Sequence, residues 1–288
     1  MNSEKVELAR LVREDEFDVS LPPDPSLHET FISRFPGIPP IVTDPGMVIL
    51  SGHNSYEFFI RNGHEYCDIL VSPLGRKDAL FLSYNSRSVL KPLSLYEKLR
   101  FLTIILRYAE IQEIYQRTAI GIRIDDTLTL FLPELTGDSF RELLSGDRIS
   151  LRTAVRLCSF EKDDRDAFIR LFTDVRFSAS NELKVLDICG EICFRDKCGM
   201  DDLLRQIGYD TVLQSDDAAA GILSAISKLR YPAYSSHEKN WNESIGEIKF
   251  PFRHNVHHAP FFEKKEIELR LYLDSIDKLK EISRKLKS

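Results

Sequence analysis

The amino-acid sequence predicts a mixed fold in three parts: a small α/β domain, an all-α domain and a small α/β unit at the C-terminal end. Two short β-type runs around a strong turn signal indicate the first part. A succession of short amphipathic helices with brief polar joints indicates the second. Period-two alternation over residues 266–273, followed by an apolar stripe at helical spacing, indicates the third.

Composition fits a folded protein, because 43% of the 288 residues are hydrophobic and 29% are charged. No apolar run approaches the ~20 residues that a membrane span needs, and the charged N-terminal stretch lacks the apolar core of a secretion signal. Five cysteines in so long a chain argue against a disulfide scaffold. The sequence therefore predicts a cytoplasmic protein that does not enter a membrane.

Charge is distributed unevenly along the chain. Residues 228–288 hold 13 Lys and Arg against 9 Asp and Glu, whereas the whole chain has a formal net charge of -6. The first 227 residues are therefore strongly acidic. Because a protein held on DNA by counterion release needs a basic face, any DNA contact must be local.

Residues 1–25 are polar, end in a Pro-rich stretch and are predicted to be an N-terminal extension to an α/β domain over 26–92. Within that domain, Ile41–Thr43 and Met47–Leu50 flank an Asp-Pro-Gly turn, which predicts a hairpin. A helix is expected from Asn54, with Gly63 as its stop, and Tyr66–Val71 is typical of a buried strand.

The all-α domain is predicted over residues 93–229. Ser94 and Glu97 form the pattern of a capping box, which predicts a helix from Leu95 to about Gln116. Six further helices are predicted over Ser139–Leu144, Leu151–Ser159, Asp164–Phe172, Glu182–Arg195, Asp202–Ile207 and Asp216–Leu229.

The C-terminal unit is predicted over residues 230–288, after a helix stop at Arg230-Tyr231-Pro232. Strands are expected at Glu247–Phe250 and Glu266–Leu273, and Asp274 or Ser275 caps a final helix. Its apolar stripe consists of Ile276, Leu279, Ile282 and Leu286. One apolar face on each element predicts a module for homodimerisation.

These segments resemble a known family. IPPIVTDPGMVILSGHNSYEFFIRNGHEYCDILV resembles the ParB/sulfiredoxin-like domain, and LLSGDRISLRTAVRLCSFEKDDRDAFIRLF is similar to the helix-turn-helix domain of ParB-like proteins. The tail, LRYPAYSSHEKNW through APFFEKKEIELRLYL, is similar to the C-terminal region of a ParB-like subgroup. The resemblance runs from about Ile38 to Leu286 and depends on the order of these motifs along one chain.

The resemblance implies a nucleotide site with an altered motif. In ParB proteins the glycine after the second strand is followed within a few residues by an Arg and binds a nucleoside triphosphate. Free-serine kinases of the same fold carry Asp-Gly-x-His-Arg. Here Asn54 or Ser55 stands where the Arg is found, and Ser51 stands where the kinases have Asp. The implied site is degenerate and consists of Ser51, Gly52, His53, Asn54 and Ser55.

Physical chemistry predicts weak nucleotide binding at this turn. A helix N-terminus contributes about 0.3–1 kcal/mol to an anion at an exposed site, whereas an Arg–phosphate pair is bidentate and stronger. Whether CTP or another nucleotide binds stays open. The alternative interpretation is a turn in which Asn54 and Ser55 cap the following helix.

The candidate DNA contacts lie between about Arg107 and Arg156. The segment Gly121–Leu135, a candidate for the DNA-reading helix, also carries Asp125 and Asp126, which repel phosphate. Arginines at four-residue spacing follow it and can share one helix face. The predicted DNA-binding residues are Arg123, Arg141, Arg148, Arg152 and Arg156. The alternative is an ordinary solvated face.

The cysteine pattern C-x3-C-x4-C, formed by Cys189, Cys193 and Cys198, lacks a fourth zinc ligand nearby in the sequence. Three histidines, His254, His257 and His258, lie far away in the tail. Core or incidental thiols, and no metal, are therefore expected.

Together these features predict a ParB-like DNA-binding or chromosome- or plasmid-partition-type regulatory protein, homodimeric and not catalytic. One alternative is an enzyme of the same superfamily, a small-molecule kinase or nucleotide hydrolase, in which Glu29 is the candidate general base. The other is a protein-interaction module, which the acidic first 227 residues favour.

Overall fold

The computed structural model describes residues 2–18, 40–90, 92–247, 253–259 and 266–285. It shows a mixed α/β chain with a four-stranded sheet near the N-terminus, a long series of helices and a separate two-stranded sheet. Glu29, most of the strand predicted at Glu247–Phe250 and the end of the last apolar stripe at Leu286 lie outside the described residues.

The N-terminal sheet has the strand order β1-β4-β2-β3. Its strands are β1 (Asn2–Glu7), β2 (Ile41–Thr43), β3 (Ile49–Ser51) and β4 (Tyr66–Val71). β2 pairs antiparallel with β3 and parallel with β4, and β1 pairs antiparallel with β4. The predicted hairpin and a strand at Tyr66–Val71 are confirmed. The strand is not buried throughout, because Cys67 and Ile69 are buried whereas Tyr66 and Asp68 are exposed. The predicted polar extension, however, contains an edge strand of this sheet.

Two helices complete this part of the chain. α1 (His53–Arg61) follows β3 through Gly52, and Gly63 is in the left-handed conformation that ends a helix. α2 (Arg76–Leu90), which the sequence did not predict, packs against β3. The N-terminus of α1 and the middle of α2 therefore lie next to the same strand.

The helical series begins with α3 (Leu95–Ile105), α4 (Ile111–Arg117), α5 (Asp126–Leu135), α6 (Asp138–Ser145) and α7 (Leu151–Leu157). The predicted capping box is present, since Ser94 accepts from the Glu97 amide and Glu97 accepts from the Ser94 amide. The prediction of one helix through Gln116 is wrong, because the chain turns after Ile105. The apolar stripe continues across the turn because Leu106 and Ala109 still pack on the core.

The series continues with α8 (Lys162–Asp174), α9 (Ala179–Asp196), α10 (Met200–Gln206), α11 (Tyr209–Leu213), α12 (Ala218–Arg230) and α13 (Pro232–Glu247). The six helices predicted from Ser139 to Leu229 correspond to α6, α7, α8, α9, α10 and α12. α12 ends at Arg230 as expected, but the following proline begins α13, because proline is well tolerated at the first helical position.

Two hydrophobic cores hold these elements together. A small core lies on one side of the sheet and includes Val6, Leu8, Ile41, Ile49 and Ile69. The larger core is continuous from Leu50, through α2, into the helical series. β3 therefore separates the two cores, and the turn at its end is held from both sides.

The C-terminal unit contains β5 (Arg253–His258), β6 (Ile267–Tyr272) and α14 (Ile276–Lys285). β5 and β6 form an antiparallel pair, and the predicted strand at Glu266–Leu273 and final helix are confirmed. None of the helices described has both the length and the apolar character needed to cross a bilayer.

Candidate functional site

The turn between β3 and α1 depends on Gly52. Its φ of 90° is left-handed, and a Cβ at this position would lie 2.8 Å from the Pro40 carbonyl oxygen and 2.9 Å from the Ile41 Cα. Both contacts are with backbone atoms that cannot move aside easily. Only glycine fits here without strain.

The predicted capping role of Asn54 and Ser55 is wrong. Gly52 is the N-cap residue, and both polar residues already lie inside the first turn of α1, where no side chain caps the helix in the described structure. Ser55 is buried, and Ser51 shares a 2.7 Å hydrogen bond with Ser86 of α2. Among the described residues, the first backbone N–H groups of α1 therefore have no side-chain acceptor.

His53, the first residue of α1, is 4% exposed, and its Nε2 is buried without a hydrogen-bond partner among the described residues. Burial lowers the pKa of His53 to about 4; Asp18 opposes this shift, and Arg13 and Arg87 reinforce it. The imidazole is thus neutral at physiological pH and cannot replace the missing cation by protonation.

Cations reach the Gly52 turn from distant parts of the sequence. Arg87 of α2 is almost entirely buried, with its Nη1 3.8 Å from Asp18 Oδ1 and its Nη2 3.4 Å from Glu97 Oε1. Arg13 is hydrogen-bonded to Asp18 and lies 2.5 Å from Glu57 of α1. Burial lowers the pKa of Arg87, and the Glu97 and Asp18 carboxylates oppose this effect. The prediction of a missing guanidinium considered only local sequence and overlooked both arginines.

Residues Arg13–Asp18 form a segment, here called the strap, that lies against α1 and α2. Ser83 donates a 2.7 Å hydrogen bond to the Phe17 carbonyl, and Arg76 pairs with Glu14 at 2.6 Å and with Glu16 at 2.5 Å. Asp18, at the end of the strap, is only 4% exposed. The strap therefore places a buried carboxylate between the two arginines.

The predicted DNA-binding arginines differ in their surroundings. Arg123 is exposed before α5, and Arg152 and Arg156 are exposed on α7. Arg141 of α6 is half-buried and 4.0 Å from Asp138. Arg148 instead donates to the carbonyl oxygens of Phe172, at 3.4 Å, and Thr173, at 2.6 Å. The guanidinium of Arg148 therefore binds backbone carbonyl groups at the C-terminal end of α8.

α5 occupies the place expected for the DNA-reading helix but exposes no basic side chain. It contains no Lys or Arg; Asp126, Thr127 and Thr129 are exposed, and Leu130 is 72% exposed. Asp125 caps its N-terminus by accepting from the Leu128 amide at 2.9 Å. The acidic residues therefore lie at the N-terminal end of this helix, the end that contacts bases in helix-turn-helix proteins.

The three cysteines of the C-x3-C-x4-C pattern lie on or just after α9. Cys189 is fully buried, and burial raises the pKa of its thiol. Cys193 and Cys198 are half-buried, and burial followed by the neighbouring Cys198 raises the pKa of Cys193 to about 12. Burial of this kind is typical of cysteine side chains that pack in a protein interior.

The C-terminal unit exposes large apolar side chains. Ile267, Leu269 and Tyr272 of β6 are between 44% and 59% exposed, and Ile276 and Leu279 of α14 are 72% and 55% exposed. The ring of His258 on β5 contacts Trp241 of α13, with centroids 5.0 Å apart. Apolar side chains of a strand and an apolar helix stripe are therefore accessible on one small unit.

No family model and no curated protein matches the chain. Among solved structures, it is similar to a Pnob8-like ParB N-domain in a C2221 crystal form, with 18% identity and a TM-score of 0.40, over 80% of this chain and 97% of that one. It is also similar to a pNOB8-like ParB N-domain, with 21% identity and a TM-score of 0.35, over 81% and 96% of the two chains. At these identities the likeness concerns the fold alone.

Proposed function

We propose that this chain is a ParB-like regulatory protein of the chromosome- or plasmid-partition type that associates with DNA through its helical domain and acts as a homodimer. The sequence resemblance over Ile38 to Leu286 supports this proposal. The proposed domains are an α/β domain over 26–92, together with the N-terminal strand, a helix-turn-helix-like domain over 93–229 and a C-terminal unit over 230–288.

The exposed pair Arg152 and Arg156 on α7 carries the proposal of DNA association. Thr153, Ala154 and Leu157 bury the other side of this helix. Glu182 of α9 fixes the start of α7 by accepting from the Ser150 amide at 3.0 Å and from the Thr153 hydroxyl at 2.6 Å. The two arginines are one helical turn apart and therefore face solvent on the same side.

Neither Arg152 nor Arg156 makes an ion pair with a carboxylate in the part of the chain that the structure describes; Arg156 instead lies 6.0 Å from the centre of the Phe160 ring. Arginine side chains in this state can contact phosphates without first breaking a salt bridge. We expect contacts with the DNA backbone, which supply affinity but no sequence information. The acidic N-terminal end of α5 makes it unsuited to base reading.

A salt titration tests the role of the pair. We expect affinity for a DNA duplex to fall with salt, and the Arg152→Ala/Arg156→Ala variant to reduce the slope of log K against log[salt] by about 2, because each phosphate contact contributes about 0.9. The charge-matched control is Arg10→Ala/Arg61→Ala, which removes two exposed arginines from the α/β domain. Equal slopes in the two double variants would remove α7 from the proposed interface.

The Gly52 site is proposed to be a degenerate nucleotide pocket that is closed in this conformation. Each of its two arginines is already paired with carboxylates, and His53, the first residue of α1, is buried. No ligand is needed to balance the charge of this cluster. Regulation by DNA association, not catalysis, is therefore the proposed activity.

The proposed homodimer uses the C-terminal unit. A two-stranded sheet is marginally stable by itself, and the described residues supply no third strand to β5 or β6. A second copy of the chain can cover the exposed side chains of β6 and α14. We expect Ile276→Glu/Leu279→Glu to sediment as a monomer, whereas Leu130→Glu, an equally exposed position on α5, leaves the dimer intact.

A second candidate function is a protein-interaction module, and the exposed face of α5 favours it. Leu130 is surrounded on the same helix by acidic and hydroxyl side chains, which suit a partner with a basic rim around an apolar patch. The salt titration separates the two functions. An interaction module without DNA association gives no affinity for duplex above that of a control protein.

A further inference from the structure

We propose that the Asp18 carboxylate is an internal anion that occupies the Gly52 site, and that a triphosphate-bearing ligand enters only when it displaces the strap. This inference rests on the proposed nucleotide pocket and names how that pocket is regulated. The strap would then act as an autoinhibitory segment.

The surroundings of Asp18 are those of a bound anion. Its carboxylate is hydrogen-bonded to Arg13 of the strap itself, and the guanidinium of Arg87 of α2 lies 3.8 Å away as an ion pair without a hydrogen bond. Charge-assisted contacts of this kind are the ones by which arginines bind phosphate. Ser86, the residue before Arg87, hydrogen-bonds Ser51, the residue before Gly52, and Arg13 pairs with Glu57 of α1, so the anion lies close to the turn.

Polar groups next to Asp18 lack partners in the residues described. Nε2 of the buried His53 and Nε of the buried Arg87 accept or donate no hydrogen bond, and α1 begins without a side-chain cap. Buried polar atoms are normally satisfied, because an unsatisfied one costs about 1–3 kcal/mol. A larger anion with several oxygen atoms can contact groups that a single carboxylate leaves unused.

The strap is attached both by exposed contacts that water can replace and by Phe17, which is 4% exposed and packs in the larger core. Arg76, 49% exposed, pairs with Glu14 and Glu16, and Tyr108 donates a 2.7 Å hydrogen bond to Glu16. Exposed ion pairs contribute about 0–1 kcal/mol each. Displacing the whole strap also exposes Phe17, at a cost of about 1.5–3 kcal/mol that ligand binding must supply. Arg87 keeps its position through Glu97.

Binding of inorganic triphosphate and of CTP to the full-length protein tests this inference. If the site is open in only a small fraction of molecules, apparent affinity is reduced by that fraction. We therefore expect Asp18→Asn to bind one or both ligands about 10-fold more tightly than wild type, since the arginines lose their internal anion. Preference for CTP over inorganic triphosphate would add recognition of the nucleoside. The double variant Asp18→Asn/Arg87→Gln should lose the gain.

A surface variant keeps the test valid if Asp18→Asn does not fold. Arg76→Ala removes the exposed attachment of the strap but leaves Asp18, Arg13 and Arg87 in place, and we expect it to bind triphosphate a few-fold more tightly than wild type. Its charge-matched control is Arg205→Ala, which removes a 78% exposed arginine on α10.

The inference is overturned when neither the Asp18 nor the Arg76 variant binds either ligand more tightly than wild type, whether all three proteins bind or none does. The DNA titration is independent of these measurements. The internal-anion inference can therefore fail while DNA affinity is intact, and DNA affinity can be absent while the triphosphate results agree with the inference. The measurements distinguish these two cases.

Discussion

At the scale of single residues, position 52 has the strictest requirement for residue type in the site, because only glycine fits without strain. Replacement by Ala combines a left-handed φ with two close backbone contacts, so we expect Gly52→Ala to destabilise the fold by more than the ~1–2 kcal/mol of the φ penalty alone. Gly63→Ala is the matched control, because Gly63 has φ 69° but no atom within 4 Å of the place where a Cβ would lie. Urea unfolding compares the two, and equal losses would contradict the close approach.

His53 predicts a dependence of stability on pH. Its folded pKa of about 4 is below the ordinary value of 6.5, so the unfolded chain binds more protons between these values. The stabilisation that neutral His53 contributes is fully present above about pH 6.5. It decreases as the pH falls toward 4, by about 1 kcal/mol per pH unit near pH 5.

The free energy of unfolding is measured across this pH range in wild type and in His53→Asn. The difference between the two proteins is the contribution of His53. We expect the variant to have the shallower slope between pH 6.5 and 4. The matched control is His64→Asn, the same replacement at an exposed position. A His53 variant with an unchanged slope would show that the imidazole is not buried in the neutral form.

At the scale of elements, local sequence signals predicted much of the fold. The turn Asp44-Pro45-Gly46, the capping box at Ser94 and the apolar periodicity of the helices each depend on neighbouring residues, so the hairpin and the helices follow directly from the sequence. β1 does not, because Val6 is the one buried side chain among residues 3–7 of this edge strand, and such a segment resembles a polar tail. α13 begins with a proline, which local sequence indicates as a helix stop.

At the scale of elements, Arg148 links the loop before α7 to the C-terminal end of α8. Its guanidinium binds the last carbonyl groups of α8, so we expect Arg148→Met to lower the free energy of unfolding by about 1.5–3 kcal/mol, the range for hydrogen bonds to charged groups. Arg152→Met, at an exposed position on α7, should change stability by about 0.5 kcal/mol or less. Urea unfolding of both variants measures the difference. Equal stability would mean that Arg148 does not hold α8.

At the scale of the whole molecule, the candidate site could be predicted only in part. Gly52 and its neighbours form a continuous motif, which is visible in the sequence. Arg13, Asp18 and Arg87 are brought together by the packing of α2 on the sheet, and no spacing in the sequence connects them. A guanidinium is therefore missing from the motif but not from the folded site.

The distribution of charge over the molecule limits how it can associate with DNA. A chain with a formal charge of -6 has no general attraction for a polyanion, so affinity must come from a local group of exposed arginines. Arg123, Arg152 and Arg156 are the members of the predicted set that remain exposed and without carboxylate partners among the residues described.

Binding of the wild-type protein to a DNA duplex, measured at several salt concentrations, tests the proposed function most directly. We expect measurable affinity that decreases linearly in log K against log[salt], with a slope that reports about two or three phosphate contacts. Affinity no greater than that of a control protein of similar charge, or affinity independent of salt, would contradict DNA association through these arginines.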